Sequence, residues 1–239
     1  MADDVSKRFS DRIAAGRGDA TVLIPAATVI LLRDAGEGLE TLMLRRNSKI
    51  AFGGMWVFPG GRLDDDDGPG LEMEQRARIA AAREAEEEAS LRVEPADLIW
   101  FSHWTPPQVE IRRFETWFFA TRAPKGSVTI DDGEITESRW LTPARALAQQ
   151  RAKEIELVPP TFVTLHYLSH YDSVDAALAG LAGDGPRRYV TKIAGSDEGM
   201  VAMWQEDAGY VAKDPSVPGP RHRLAMTDRG FLFDDSALR

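Results

Sequence analysis

The chain has 239 residues, of which 43% are hydrophobic and 28% charged, as in ordinary globular proteins. This length suits one large domain, or one domain with an extension. The net charge of −9 argues against a duplex nucleic-acid partner, which needs a basic surface. Zero cysteines exclude disulfides and thiolate metal sites and are consistent with a reducing cytoplasm. No apolar run approaches roughly 18 residues, so we expect no membrane-spanning segment.

A polar tail and a β-hairpin are the first predicted elements. Residues 1–20 are polar and charged, which predicts a tail outside the core. Residues 26–32 are apolar and β-branched, which predicts a buried strand, and residues 39–45 form the return strand after a turn. A third strand, residues 55–58, leads into Pro59-Gly60-Gly61.

An acidic loop follows the glycines and precedes a helix. Four aspartates beside glycine and proline, residues 64–70, predict a solvated and mobile insertion, because adjacent like charges resist burial. A calcium loop is the alternative, but the ligand spacing of known calcium loops is missing. The helix, residues 71–89, carries small apolar residues on one stripe and is expected to lie close against a sheet.

Strands, helices and a β-rich tail complete the chain. The predicted strands cover residues 98–101, 114–120 and 137–141. Three helices follow: one begins at Thr142-Pro143, and the others cover residues 161–171 and 174–181. Residues 186–239 alternate in the manner of strands, and this tail could cover a sheet edge or build a homodimer contact. We therefore expect a tail (1–20), a main domain (21–185) and a C-terminal β extension (186–239).

The most informative segment is the predicted helix around Arg83. In a helix Glu84, Glu87 and Glu88 stand at i, i+3 and i+4 and share one face. Carboxylates at that spacing repel one another unless a cation lies among them, and they suit Mg²⁺ or Mn²⁺. Arg83 precedes Glu87 by four residues and could orient it. A solvated helix face is the plainer interpretation, but the strand and glycine turn upstream favour a phosphate-and-metal site.

These residues resemble a known motif. Gly61 with Arg83-Glu84-Ala85-x-Glu87-Glu88-x-Ser90-Leu91 is similar to the Nudix box, G-x5-E-x7-R-E-U-x-E-E-x-G-U, where U is aliphatic. Three features depart from it. Gly61 and Arg83 are 22 positions apart where the box has 14, so the loop carries an eight-residue insertion. The first glutamate of the box falls on Gln75, and its late glycine is Ser90.

A branch of this family is indicated by the flanking segments. Arg45-x12-Phe58-Pro59-Gly60-Gly61 is similar to the segment that precedes the box in coenzyme A diphosphatases. Residues 105–116 and 153–162 resemble the peroxisomal branch, which shares the insertion and the missing glutamate. The bacterial coenzyme A signature expects serine, leucine, arginine and histidine where this chain has Arg46, Lys49, Ile50 and Phe52.

The resemblance implies an α+β fold, a Nudix α/β/α sandwich with a mixed sheet, here with a C-terminal β-rich extension. It implies that Glu84, Glu87, Glu88 and the Gly61 carbonyl bind Mg²⁺ or Mn²⁺. Glu84 and Arg83 would belong to the catalytic residues.

Three further site residues are candidates. A general base often follows the box on a loop, and Glu134 is chosen over Glu137 because Glu137 begins a strand; a surface turn is an equal alternative. Arg45 and Arg113 could bind substrate phosphates bidentately, although surface salt bridges would explain them equally well.

The expected activity is metal-dependent hydrolysis of a small-molecule nucleoside diphosphate linked to another group. Coenzyme A or acyl-coenzyme A, cleaved to phosphopantetheine and 3′,5′-ADP, is the first choice. ADP-ribose or a dinucleotide is the alternative within the enzyme class. A Nudix-fold sensor that binds a nucleotide without cleaving it is the rival from another class, but the intact Glu84, Glu87 and Glu88 favour an enzyme.

Overall fold

The structure, a computed structural model, describes residues 22–36, 38–48, 53–108, 113–130, 133–183 and 185–238. The expected tail, residues 1–20, lies outside the described residues. Two compact units are present: the larger comprises Pro25–His103 and Thr116–Arg187, and the smaller comprises the described residues of 22–24, 104–115 and 188–238. The expected boundaries near residues 20 and 185 stay predictions.

A sheet runs through the larger unit. Its strands are β1 (Leu23–Ala35), β2 (Gly38–Arg46), β3 (Trp56–Val57), β4 (Gly60–Arg62), β5 (Ile99–Thr105), β6 (Arg113–Arg122) and β7 (Ile135–Leu141). The order is β3-β2-β1-β6-β5, while β4 pairs with β1 and β7 with β2, both antiparallel. A parallel bridge joins Trp56 to Leu157. The third predicted strand, residues 55–58, is shortened to β3, because the chain turns at Pro59.

Four helices accompany the sheet in the described part of this unit: α1 (Met73–Ala89), α2 (Pro143–Arg151), α3 (Pro159–Leu168) and α4 (Val174–Gly183). Thr142 caps α2 as predicted, because its hydroxyl accepts a hydrogen bond from the Arg145 N–H at 3.2 Å. The α3 helix begins earlier than predicted, since proline at its first turn needs no N–H partner. None of the described helices combines the length and apolarity that a membrane crossing requires.

Both faces of the sheet are covered. On β1, Val29 and Leu31 pack in the same buried cluster as the alanines of α1, and Ile30 and Leu32, which point to the other face, are equally inaccessible. The α2 helix contacts β2 and α3. This arrangement confirms the predicted α+β fold with a mixed sheet.

The buried face of α1 is made of alanine. Ala77, Ala80, Ala81, Ala85 and Ala89 are fully buried. Short side chains let a helix approach a sheet closely, and α1 lies against β4. The close approach brings the glutamates of α1 to Pro59-Gly60-Gly61, where the chain turns after β3 and enters β4; we call this segment the glycine turn.

The smaller unit is β-rich, as predicted for the C-terminal extension. It contains β9 (Lys192–Ser196), β10 (Gly199–Met203), β11 (Arg223–Thr227) and β12 (Gly230–Asp234), after β8 (Arg187–Val190). Strands β9 to β12 form an antiparallel sheet in the order β12-β11-β10-β9. The expected homodimer contact of this tail stays a prediction.

A buried ion pair fixes the loop between β10 and β11. The carboxylate of Asp207 is inaccessible and accepts two hydrogen bonds of 2.6 Å from the Arg223 guanidinium. The N–H groups of Gly209 and His222 donate to the same carboxylate. Burial raises the pKa of the Asp207 carboxyl, but these donors outweigh burial and hold the pKa below its usual value.

We expect Asp207→Asn to lower the free energy of unfolding of this unit by about 3 kcal/mol or more, because Arg223 is left with an uncompensated, largely buried charge. Urea unfolding followed by tryptophan fluorescence measures this, since Trp204 lies buried in the same unit. Asp197→Asn, at an exposed turn, is the matched control. Equal midpoints for the two variants would contradict the prediction.

Candidate functional site

The three glutamates of α1 lie on one face, as predicted, but differ in exposure. The Glu88 side chain is 5% exposed and the Glu84 side chain 14%, whereas Glu87 is 56% exposed. The face therefore runs from a buried end, at Glu88, to a solvent end, at Glu87.

The glycine turn forms the floor of this face. The N–H of Gly60 donates to Glu88 Oε2 at 2.9 Å. A Cβ on Gly61 would lie 2.2 Å from Glu84 Oε1, and one on Gly60 would lie 2.5 Å from the Ala27 carbonyl oxygen. Glycine is therefore required at position 60, where the contact is with backbone, and a side chain at position 61 would displace the Glu84 carboxylate.

Glu88 is an unusual buried acid. Burial raises the pKa of its carboxyl to about 8, against the opposing effects of the Gly60 N–H and the Arg46 guanidinium. Among the described residues, Oε1 of Glu88 accepts no hydrogen bond, and Arg46 Nη1 lies 3.5 Å away. The ionised carboxylate is thus under-compensated by the protein alone.

Arg83 connects the other two glutamates. Its Nη1 donates to Glu84 Oε1 and to Glu87 Oε2, each at 2.9 Å, as expected for an orienting arginine. Its Nε and Nη2 donate to the Asp67 carboxylate, each at 3.0 Å, and the bond to Asp67 is the main cause that raises the Arg83 pKa. Burial raises the pKa of Glu84 although Arg83 opposes it.

The prediction of a fully solvated insertion is wrong for Asp67. Asp64, Asp65 and Asp66 are exposed, but Asp67 is 3% exposed. Burial of Asp67 is possible because its carboxylate pairs with Arg83, which is distant in sequence. The prediction considered only the repulsion among adjacent aspartates.

Glu134 lies beside the buried end of the face. Its carboxylate pairs with Arg46 Nη2 at 2.9 Å, and its negative charge contributes to raising the pKa of Glu84 and of Glu88. Asn47 positions the loop, since the Asn47 N–H donates to the Glu134 carbonyl at 2.7 Å. The neighbouring Asp131 and Asp132 lie outside the described residues.

The two predicted phosphate-binding arginines have other partners in this structure. Arg45 is half exposed and lies 3.6 Å from Glu137. Arg113 belongs to the smaller unit and donates to the Pro106 carbonyl at 2.9 Å. Their binding of substrate stays a prediction. Lys49, Ile50 and Phe52 lie outside the described residues.

Arg46 was missed by sequence reasoning. Arg46 forms ion pairs with both Glu88 and Glu134, whereas its neighbour Arg45 is the residue predicted from the sequence to bind phosphate. The register of β2 against β7 shifts between these two arginines, and such a bulge changes where a side chain points. Two consecutive arginines just before the glycines were the available signal, but sequence alone does not locate a bulge.

The carboxylates of α1 are suitable ligands for a divalent cation, although Arg83 already donates hydrogen bonds to two of them, Glu84 and Glu87. Within the described ranges, no three acidic or histidine side chains stand ready to hold a metal ion. Glu84 and Glu87 would have to turn from Arg83, while Glu88 offers an oxygen without a hydrogen bond. Buried anionic oxygens with too little compensation are what Mg²⁺ and Mn²⁺ prefer, so the residues fit such an ion.

Residues 22–159 match the family model described as NUDIX domain, which is more than half of the chain. The chain therefore belongs to the NUDIX domain family, whose hydrolases generally use divalent metals such as Mg²⁺ or Mn²⁺. The family resemblance expected from the sequence is confirmed.

Curated relatives share lower identity. The chain is 28% identical over 136 residues to the acyl-coenzyme A diphosphatase NUDT19 of Xenopus laevis, covering 54% of this chain and 36% of that protein. It is 25% identical over 200 residues to the protein of that name from Gallus gallus, covering 72% and 52%. The chain thus spans about half, or less, of the length of these relatives.

A solved structure supports the fold. The NUDIX hydrolase of Alicyclobacillus acidocaldarius superposes with a TM-score of 0.58 at 21% identity, covering 66% of this chain and 96% of that one. At this identity the likeness shows the fold alone.

We expect the free energy of unfolding of the metal-free protein to fall as pH rises from about 5 to about 8, through ionisation of Glu88. The folded state then holds a proton at Glu88 that the unfolded state has released, so stability decreases with pH. Glu88→Gln should remove roughly 3 kcal/mol of this decline.

Chemical denaturation in a chelator, at several pH values, measures the difference between the two curves. Other acids titrate in both proteins, so the difference contains Glu88 and its coupling to Glu84 and Glu134. Parallel curves for wild type and Glu88→Gln would contradict a raised pKa at Glu88.

Proposed function

We propose that this chain hydrolyses the diphosphate linkage of coenzyme A or an acyl-coenzyme A, with Mg²⁺ or Mn²⁺ bound at the α1 face. The observation that supports this most is the packing of the buried Glu88 and the largely buried Glu84 against Gly60 and Gly61, with Glu134 beside them. Anionic ligands held in this way can concentrate cations next to an anionic substrate.

In this proposal Glu84, Glu87, Glu88 and the Gly61 carbonyl hold the metal. A divalent ion held there supplies charge neutralisation for the diphosphate and lowers the pKa of bound water. Arg83 orients Glu84 and Glu87, which it already contacts through one nitrogen.

Glu134 acts as the general base in this proposal. More than half of its side chain is exposed, so its carboxylate can take a proton from an attacking water. Arg46 restrains Glu134 at 2.9 Å and so keeps it near the buried Glu88.

Coenzyme A is the proposed substrate class because both curated relatives are named acyl-coenzyme A diphosphatases and because the segments around the glycines resemble that branch. Coenzyme A has a 3′-phosphate on its adenosine, so an enzyme for it needs a further cation. Arg45 is our candidate, since its ion pair with Glu137 is long and exposed and can be released easily.

A panel of diphosphates with Mg²⁺ and with Mn²⁺ tests the proposal. Coenzyme A, acyl-coenzyme A, ADP-ribose and dinucleotides are incubated with the protein, and the products are identified by mass spectrometry. Phosphopantetheine and 3′,5′-ADP are expected. Preferred cleavage of ADP-ribose would replace the substrate but keep the reaction, and binding without cleavage of any compound would favour a sensor.

We expect Glu88→Gln to lower kcat by about 10²-fold or more while the protein remains folded, because a ligand of the catalytic metal is lost. Glu87→Gln should act in the same direction. Glu86→Gln is the matched control, since Glu86 belongs to the same run but is exposed and makes its ion pair with Arg92. Near-wild-type turnover in Glu88→Gln would remove this residue from the site.

We expect coenzyme A to be preferred over dephospho-coenzyme A by about tenfold or more in kcat/KM, because a charge-assisted pair to phosphate contributes roughly 1.5–3 kcal/mol. Arg45→Gln should shrink that preference without abolishing cleavage. Arg33→Gln is the control, since Arg33 is about as exposed as Arg45 but makes its ion pair, with Glu40, at the other end of the β1–β2 hairpin. Equal kcat/KM values for the two substrates in wild type would end the coenzyme A proposal only.

A further inference from the structure

The insertion is bound to α1 by two arginines. Arg76 and Arg83 are seven residues apart, about two turns, and therefore share one face of the helix. Arg76 donates through Nε to the Asp67 carbonyl at 3.0 Å and through Nη2 to the Asp64 carbonyl at 2.8 Å. Arg83 donates to the Asp67 carboxylate. The loop is thus held at its backbone and at one side chain.

The Asp67 carboxylate is saturated by these contacts. Oδ1 accepts from Arg83 Nε at 3.0 Å, and Oδ2 accepts from Arg83 Nη2 at 3.0 Å and from the Asp64 N–H at 2.7 Å. A carboxylate that is 3% exposed needs such partners, because an unpaired buried charge is strongly unfavourable. The two-point geometry also fixes the plane of the guanidinium.

Arg83 therefore has two occupied edges. One edge, Nε and Nη2, faces Asp67; the remaining nitrogen, Nη1, faces Glu84 and Glu87. If the two glutamates turn to a divalent cation, Nη1 loses its partners. Without Asp67 the guanidinium would then be a partly buried cation with only the exposed Asp64 carboxylate, 3.7 Å from Nη2, beside it, and it would compete with the ion for Glu84 and Glu87.

We propose that Asp67 is a positioning residue, which holds Arg83 from the insertion side so that Glu84 and Glu87 can be released to a divalent cation. This inference rests on the proposed function. In the proposed site Asp67 contacts neither the metal nor the substrate, and it acts only through Arg83.

The insertion is then part of the site and not a spacer. Gln75, which occupies the position of the first glutamate of the Nudix box, is exposed. The carboxylate that Arg83 holds through two nitrogens comes from Asp67, inside the segment that lengthens the loop. Of the four adjacent aspartates, Asp67 alone among these described residues is buried.

Mn²⁺ binding to the substrate-free protein tests the proposal, measured by calorimetry and by electron paramagnetic resonance at a temperature where each variant is folded. Asp67→Asn should weaken Mn²⁺ binding by about tenfold or more, the loss expected when one charge-assisted pair is removed. Asp66→Asn, which removes the same charge from an exposed neighbour, is the matched control and should bind as wild type does.

Two further variants make the outcome specific. Glu88→Gln tests the metal site itself. If it binds Mn²⁺ like wild type, the proposed site fails; if it loses binding while Asp67→Asn does not, only the present inference fails. Asp67→Asn should also have little additional effect on Mn²⁺ affinity in an Arg83→Gln background, because Asp67 acts only through Arg83. Additive losses in this double-mutant cycle would overturn the proposal.

A milder variant covers the case in which Asp67→Asn does not fold. Asp67→Glu keeps the charge but displaces the carboxylate by one methylene from the guanidinium. It should bind Mn²⁺ more weakly than wild type, by less than tenfold. Unchanged Mn²⁺ affinity in Asp67→Glu, together with an unfolded Asp67→Asn, would assign Asp67 to folding alone and overturn the proposal.

Discussion

The close approach of α1 to the glycine turn is the constraint on which the site depends. Five fully buried alanines allow it on the helix side, and two glycines that have no room for a Cβ allow it on the strand side. Glu88 is consequently buried, and Glu84 nearly so. In such surroundings an ionised carboxylate is stabilised by hydrogen-bond donors or by a nearby positive charge. Oε1 of Glu88 has no donor among the described residues, so the packing of the helix favours a cation there.

The protein meets this demand incompletely. Six carboxylates, those of Glu84, Glu87, Glu88, Glu134, Asp67 and the more distant Asp64, share two arginines. Arg46 serves the buried end and Arg83 the solvent end of the α1 face. The remaining negative charge is unfavourable for the isolated chain but suits a site for a divalent ion. The carboxylates that lower the stability of the metal-free protein are thus the same groups that would bind the divalent ion.

Periodicity and local chemistry predicted the elements that carry this site. The spacing of the glutamates, the Thr142 cap and the β-rich C-terminal region follow from patterns within a few residues. Ser90, at the late-glycine position of the box, has a φ of +55°, the left-handed conformation that glycine favours at a helix end, and its hydroxyl donates to the Thr129 carbonyl at 3.1 Å.

What the sequence could not show depends on contacts between distant residues. Composition made the four aspartates of the insertion equivalent. Asp67 differs from the others because Arg83 donates two hydrogen bonds of 3.0 Å to it, whereas Asp64 lies 3.7 Å from Arg83. The choice between Arg45 and Arg46 depended on a bulge, which is a property of the pairing of two strands. The roles of the site residues and the expected cytoplasmic location stay predictions.

The partners of two neighbouring acids bear on the identity of the general base. Glu137 lies between Arg45 and Arg139, with Arg139 Nε donating to it at 2.7 Å, whereas Glu134 has Arg46 as its cation. Oε1 of Glu137 is therefore engaged by the Arg139 guanidinium, and its Oε2 faces Arg45 at 3.6 Å. The Glu134 side chain is 58% exposed, whereas that of Glu137 is 35% exposed, so water reaches Glu134 more easily. These contacts and exposures favour Glu134 on geometric grounds, independently of the strand boundary at Glu137.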